Sequence, residues 1–453
     1  MGLKTILWAG FFGVMCFAAL GAPIWGIVGY VGHYSVGPER QWWEAPLSPL
    51  GLRYSFTLAA FTAVGIMMNW GKLRFGHFFF CRQEKLLLLF LGLVWLSFVI
   101  GPETVGRYTS PGIDHPSMKL TKIVIFALMM THVVTDLKNL NRLIWVLIVG
   151  ALILGLQAWD TPRRAFEGGR LERVGGPDFS DCNFFAAYMA VMLPIIGVQF
   201  LRTGKYGKLL CLVSGVFTTN AIILTRSRSA VVGLAVGVLA AILLAPPRHR
   251  LKILLCLVVV LAGGLYLSDP QFLARTATIM SSEEERDSSA QSRVRLAKAG
   301  VQMVADHPLG VGPGNFYQHI GRYIPEYAGK DAHNTYVRCF TELGLQGGAV
   351  FLLLIGNAFA MPLKVRRRVA YFPKERRQDL IYLSYAMLVS ISALLGCCLT
   401  ISLTYVEFIW WFLALPVCLE RVVQNLQQEL DLTSAGVVEE EAVEPVLECA
   451  TGG

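Results

Sequence analysis

Charged side chains are scarce in this chain: Asp, Glu, Lys and Arg make up only 16% of its 453 residues, whereas 54% are hydrophobic and the mean hydropathy is +0.52. That balance excludes a soluble globular protein and fits a polytopic membrane protein. Paired cysteines are also lacking. Most of the ten, including Cys16, Cys211, Cys256, Cys397 and Cys418, fall inside apolar segments and none forms a CxxC, so neither a disulfide framework nor a zinc site is expected. The dyad alternation of a membrane β-barrel is missing, and no heptad, solenoid or inverted repeat is visible. Unpaired backbone groups in lipid each cost several kcal/mol, so helix-length apolar runs imply an all-α bundle.

About twelve spans are expected. The first lies within 5–34, where Gly21-Ala22-Pro23 leaves one broken helix or two short ones open; a signal peptide cut near Ala22 fits least, because the apolar run continues through 24–31. The others lie near 54–70, 86–100, 120–134, 143–159, 184–200, 209–223, 230–244, 251–267, 337–362, 380–400 and 405–419. The net charge of +9 does not point to nucleic acid, because Lys and Arg gather in short turns between apolar runs, such as Lys72/Arg74/Arg82/Lys85, Lys138/Arg142, Arg202/Lys205/Lys208 and Arg248/Arg250/Lys252. These recur at every second turn and mark the cytoplasmic side. The turns at 101–119, 160–181, 225–229, 268–334 and 401–404 then face the periplasm or exterior. The expected organisation is one membrane domain, 1–420, carrying an external loop at 268–336 between the ninth and tenth spans, followed by an acidic, disordered cytoplasmic tail at 421–453.

Arginines on the outer side break the positive-inside pattern and require a reason. Arg163, Arg164, Arg170 and Arg173 share one outer turn, Arg226 and Arg228 occupy a tight turn between two apolar runs, and Arg293 and Arg295 lie in the large loop. Charge at such positions is costly unless it lines a polar cavity, meets a counter-charge or snorkels to lipid phosphates. Guanidinium groups grip phosphate bidentately, so two or three of them can hold a diphosphate without a metal. No outer Asp-x-Asp occurs, and Asp178 and Asp181 stand three apart. Gly310-Val-Gly-Pro-Gly314 lacks the Gly-Lys-Ser/Thr of a nucleotide loop and reads as a tight turn. His333, at the outer boundary beside Asp331, Asn334 and Tyr336, is placed to take a proton from a hydroxyl near neutral pH. Glu342, a turn or two into the next span, is expected to be buried and paired.

At these residues the chain resembles the O-antigen ligase and polymerase superfamily of bacterial membrane glycosyltransferases, over roughly 170–348. The likeness is carried by Ser227-Arg228-Ser229, Ser289-Ala-Gln-Ser-Arg293, His307-Pro-Leu-Gly-Val-Gly-Pro-Gly-Asn-Phe316, His333-Asn-Thr-Tyr336 and Glu342-Leu-Gly-Leu-Gln-Gly347, together with Gly175-Gly-Pro and Asp181-Cys-Asn183. The family usually has Ser-Arg-Gly where this chain has Ser-Arg-Ser. Pro23 and the 42–49 turn resemble the exosortase-associated O-glycosylation ligase branch.

The resemblance implies a GT-C-like bundle in the bacterial inner membrane. It implies metal-independent, cofactor-free, inverting transfer from an undecaprenyl-diphosphate-linked glycan to a glycan, lipid A–core or protein hydroxyl on the periplasmic face. Arg228 and Arg293 would hold the diphosphate and His333 would act as general base, with Arg226, Arg295, Arg173, Asp178, Asn334 and Tyr336 as further substrate-binding candidates. A repeat-unit polymerase and a protein O-oligosaccharyltransferase fit the same donor site. The rival of a different class is a lipid-linked glycan transporter, and a membrane scaffold would leave Arg228, Arg293 and His333 without a task.

Overall fold

The computed structural model describes residues 2–74, 79–101, 114–245, 250–268, 270–277 and 288–448. The turn around Arg248, the outer turn at 102–113 and loop residues 278–287 lie outside the described residues. Within them the chain is helical, without a named strand, as expected of an all-α bundle.

Among the described residues seven helices are long and apolar enough to cross a membrane: α1 (Leu3–Gly21), α4 (Arg82–Ile100), α6 (Leu137–Asp160), α7 (Cys182–Arg202), α8 (Lys205–Thr225), α14 (Thr335–Arg368) and α15 (Lys374–Cys398). Two shorter apolar helices, α3 (Tyr54–Met68) and α9 (Arg228–Leu244), accompany them. The other expected spans are also helical, as α5 (Pro116–Val133), α10 (Arg250–Leu267) and the start of α16 (Glu407–Glu448). The 5–34 stretch resolves into two helices, because Pro23 has no N–H to continue α1; α2 (Ile24–Val36) turns back to pack on α1 and α3.

α7 and α15 form the middle of the bundle: 67% and 78% of their apolar windows are buried, against 22% for α1. α15 lies against α9 through small residues. A Cβ on Gly237 would stand 3.1 Å from Ala393 Cβ, and one on Gly396 would stand 3.0 Å from Gly233 Cα. This small-residue contact lets two backbones approach closely in an apolar setting, and it fixes where the first residue of α9, Arg228, emerges.

Among the described residues, the segment between α10 and α14 contains helices α11 (Pro270–Ala277), α12 (Ser288–Asp306) and α13 (Phe316–Tyr323), with a small core of Leu296, Ala299, Met303, Val311, Phe316, Ile320 and Ala332. One expected boundary changes. The expected tail does not begin at 421: α16 continues through it. Arg421 is 2% exposed and donates to Glu84 at 2.7 and 2.9 Å, and Asn425 Nδ2 donates to Thr135 O at 2.9 Å. These polar residues have buried partners on other helices, so the packed body extends past them.

Candidate active site

The helix that ends in the site is broken. Inside α14, Gly344 takes φ 72° and ψ −176°, a conformation essentially restricted to glycine. The glycine-rich turn fills the break. Val311 N donates to Thr341 O at 2.9 Å, Gly312 N to Glu342 O at 3.0 Å, and Leu345 N to Pro308 O at 2.9 Å. Gly310, Gly312 and Gly314 all have positive φ, which the turn needs to run this close to the α14 backbone. The two glycine motifs of the sequence are thus one structural joint.

Beside that joint, Glu342 is fully buried. It accepts Arg338 Nε at 3.0 Å and Phe316 N at 3.3 Å on one carboxylate oxygen, and the Tyr405 hydroxyl at 2.8 Å on the other. The Arg338 guanidinium faces the rings of Tyr317 and Tyr405, and it reaches Asp331 Oδ1 at 3.3 Å. Asp331 Oδ2 in turn accepts His333 N at 3.2 Å and lies 3.8 Å from His333 Nδ1. The expected burial and pairing of Glu342 are found; Arg338 was missed. An acid and a base at i, i+4 within an apolar run was the signal that pointed to it.

Among the described residues only three non-glycine residues have positive φ: Arg173, Arg226 and His333. All three are sequence candidates. Such backbone costs about 1–3 kcal/mol and persists only where the surroundings hold it. His333 is held between Asp331 and Asn334, the residue that caps α14 by accepting Val337 N at 3.0 Å.

The arginines gather where α7, α9 and α14 begin, so the positive ends of three helices share this end of the bundle. Arg228 is buried in the first turn of α9, and Arg293 lies on α12. The Arg293 pKa is lowered by burial first and then by the charges of Arg228, Arg170 and Arg275, while Asp181 opposes the shift. Its Nε is buried and meets no acceptor among the described residues. A guanidinium nevertheless keeps its charge in proteins. Arg293, Arg228, Arg170 and Arg275 thus lie within electrostatic reach of one another, a clustering of cations that favours an anion.

Burial also lowers the His333 pKa; Asp331 and Asp181 act to raise it, and Arg293 and Lys330 to lower it. The imidazole is therefore held neutral at pH 7, as a general base must be. Arg293 lies within electrostatic reach of both Arg228 and His333, and so links the two.

The secondary candidates divide. Arg226 caps α8 and binds Gly169 O and Gln271 of α11. Arg173 points away: its side chain is 73% exposed and pairs with Glu167 at 3.2 Å. Arg170 takes the place expected for Arg173, donating to Asn183 Oδ1 at 2.9 Å and Thr225 O at 3.0 Å. Arg295 sits two residues from Arg293, on the opposite face of α12, and binds Glu326 and Tyr327. Asp178 is a structural anchor: it binds Lys119, accepts the Tyr34 hydroxyl at 2.9 Å, and accepts Glu407 N at 2.8 Å at the start of α16. Asn334 and Tyr336 tie α14 to α15 through Leu399 O and Leu395 O. Arg275 and Asp181, near Arg293, were not among the candidates for substrate binding.

No curated protein matches the chain closely enough to count as a relative. Residues 213–352, from α8 to the middle of α14, match the family model described as O-Antigen ligase. The part of this multi-pass helical protein that carries Arg228, Arg293 and His333 is therefore similar to the O-antigen ligase and polymerase superfamily.

Proposed function

We propose that the protein is an inverting glycosyltransferase that moves a glycan from an undecaprenyl-diphosphate carrier to an acceptor hydroxyl on the periplasmic face of the inner membrane. The observation that carries this reading is the meeting of a buried arginine from α9 and a half-buried one from α12 with a histidine held neutral at the same end of the bundle. Arg228 and Arg293, aided by Arg170 and Arg275, grip the diphosphate. His333 accepts the acceptor's hydroxyl proton as that oxygen bonds to the anomeric carbon from the face opposite the phosphate. The carbon–oxygen bond to the diphosphate breaks, its electron pair leaves with the phosphate, and the arginines stabilise the charge that develops there. Low-dielectric surroundings strengthen that stabilisation relative to water.

The test is transfer by the purified, reconstituted protein from an undecaprenyl-diphosphate oligosaccharide, read by mass spectrometry with and without a lipid A–core or peptide acceptor. Acceptor-dependent product is expected of a ligase or a protein O-oligosaccharyltransferase, and a lengthened lipid-linked glycan of a polymerase. His333→Ala should abolish either product. Full turnover by that variant would remove the general base, and substrate movement across the vesicle without any product would replace the enzyme with a transporter.

A further inference from the structure

Asp331 stands between two groups with different tasks. One oxygen faces the buried Arg338 at 3.3 Å; the other accepts His333 N at 3.2 Å and lies 3.8 Å from the ring Nδ1. Arg338 is in turn anchored by Glu342 at 3.0 Å and by the Tyr317 hydroxyl at 2.9 Å, and Glu342 is locked by Tyr405 and the Phe316 amide. Ser97 Oγ and Gly312 N both donate to the Glu342 backbone oxygen, at 2.7 and 3.0 Å, which ties this anchor to the glycine joint.

Charge adds a second argument. Arg338, Glu342 and Asp331 together carry one net negative charge, and Asp331 is the member beside the imidazole. A proton arriving on His333 makes the network neutral. Severing a buried ion pair costs several kcal/mol, so the orientation of Asp331 is set by groups that cannot readily move.

We propose that Asp331 is a positioning residue for His333: aligned by the Arg338–Glu342 pair, it accepts a hydrogen bond from Nδ1–H and so turns Nε2 toward the acceptor hydroxyl. The inference rests on His333 acting as the base in the proposed transfer. At 3.8 Å the ring is poised rather than bonded, and the gap closes as the imidazole gains its second proton and Nδ1 becomes a charged donor. The other charged groups facing His333 are Asp181, Arg293 and Lys330, and a change at Asp331 alone leaves all three unsubstituted.

Asp331→Asn keeps the acceptor for His333 N and removes the charge. It is made in the full chain in nanodiscs with isotope-labelled histidine, and the His333 signal is assigned by its loss in His333→Gln. The expected result is a lower His333 pKa, loss of the single Nδ1–H tautomer, and a kcat about 10- to 100-fold lower with KM little changed. Arg338→Lys, which keeps the charge and loses the planar fork, should lower kcat as well. Combined with Asp331→Asn it should cost no more than Asp331→Asn alone, because Arg338 acts through Asp331. An unchanged His333 pKa and tautomer in Asp331→Asn, or additive losses in the double variant, would overturn the inference. Should Arg338→Lys fail to fold, the Asp331→Asn titration decides alone. The two readings fail separately. An inactive wild type whose His333 shifts as expected removes the transferase; an active wild type whose His333 ignores Asp331 removes only the positioning role.

Discussion

Replacing Gly344 by alanine tests whether the glycine joint holds the site. At φ 72° and ψ −176° a side chain costs about 1–3 kcal/mol in backbone strain alone. The new Cβ would also run into the main chain of Leu309 and stand 2.5 Å from Pro308 O, and neither can swing aside as a side chain would. The bonds from Leu345 N to Pro308 O at 2.9 Å and from Gln346 Nε2 to Leu309 O at 3.0 Å would be lost with the fit, each worth about 1 kcal/mol. The sum, about 3–5 kcal/mol, lowers the docked population of the turn by roughly two to three and a half orders of magnitude. Hydrogen–deuterium exchange of the 307–316 peptide is the assay, because the Val311 and Gly312 amides are protected by Thr341 O and Glu342 O. Gly356→Ala is the control: a Cβ there meets nothing within 4 Å. Exchange in Gly344→Ala should be much faster than in wild type and control, with glycan transfer lost. Equal exchange in all three would refute the joint.

Arg293→Gln removes a cation that repels protonated His333, so the His333 pKa should rise; the acid limb of kcat/KM, where the neutral base is lost as pH falls, should move to higher pH. A limb that stays still or moves down would contradict the electrostatic contact. Arg228→Lys keeps the charge but loses bidentate geometry and should weaken transfer by at least about tenfold; wild-type rates would favour simple snorkelling. Arg173→Ala should leave transfer intact, since an exposed pair is worth about 0–1 kcal/mol, whereas Arg170→Ala should impair it, and the reverse pattern would reject the assignment of the two. A cysteine in place of Ser281 should react with an impermeant maleimide in intact spheroplasts; reaction only after permeabilisation would place the loop on the cytoplasmic side.

The sequence by itself determined the helical membrane class, the positions of the long apolar helices, and Arg228, Arg293 and His333 as the residues to watch. The reason is that bilayer length and the rarity of charge beside apolar runs are local constraints, legible one segment at a time. Only the tertiary structure decided which neighbour of each candidate faces the site. Arg170 and Arg173 share a turn, yet Arg170 reaches Asn183 whereas Arg173, itself at φ 58°, leaves its side chain exposed. Arg293 and Arg295 differ by half a helical turn, which distinguishes them only once α12 is docked. Asp178 looked like a ligand because it is an acid near arginines, yet its partners Tyr34, Lys119 and Glu407 come from three helices remote in sequence. Arg421 passed for the start of a tail because its partner, Glu84, lies 337 residues away. Pairing across such distances is set by how the helices pack, and no window of the chain contains it.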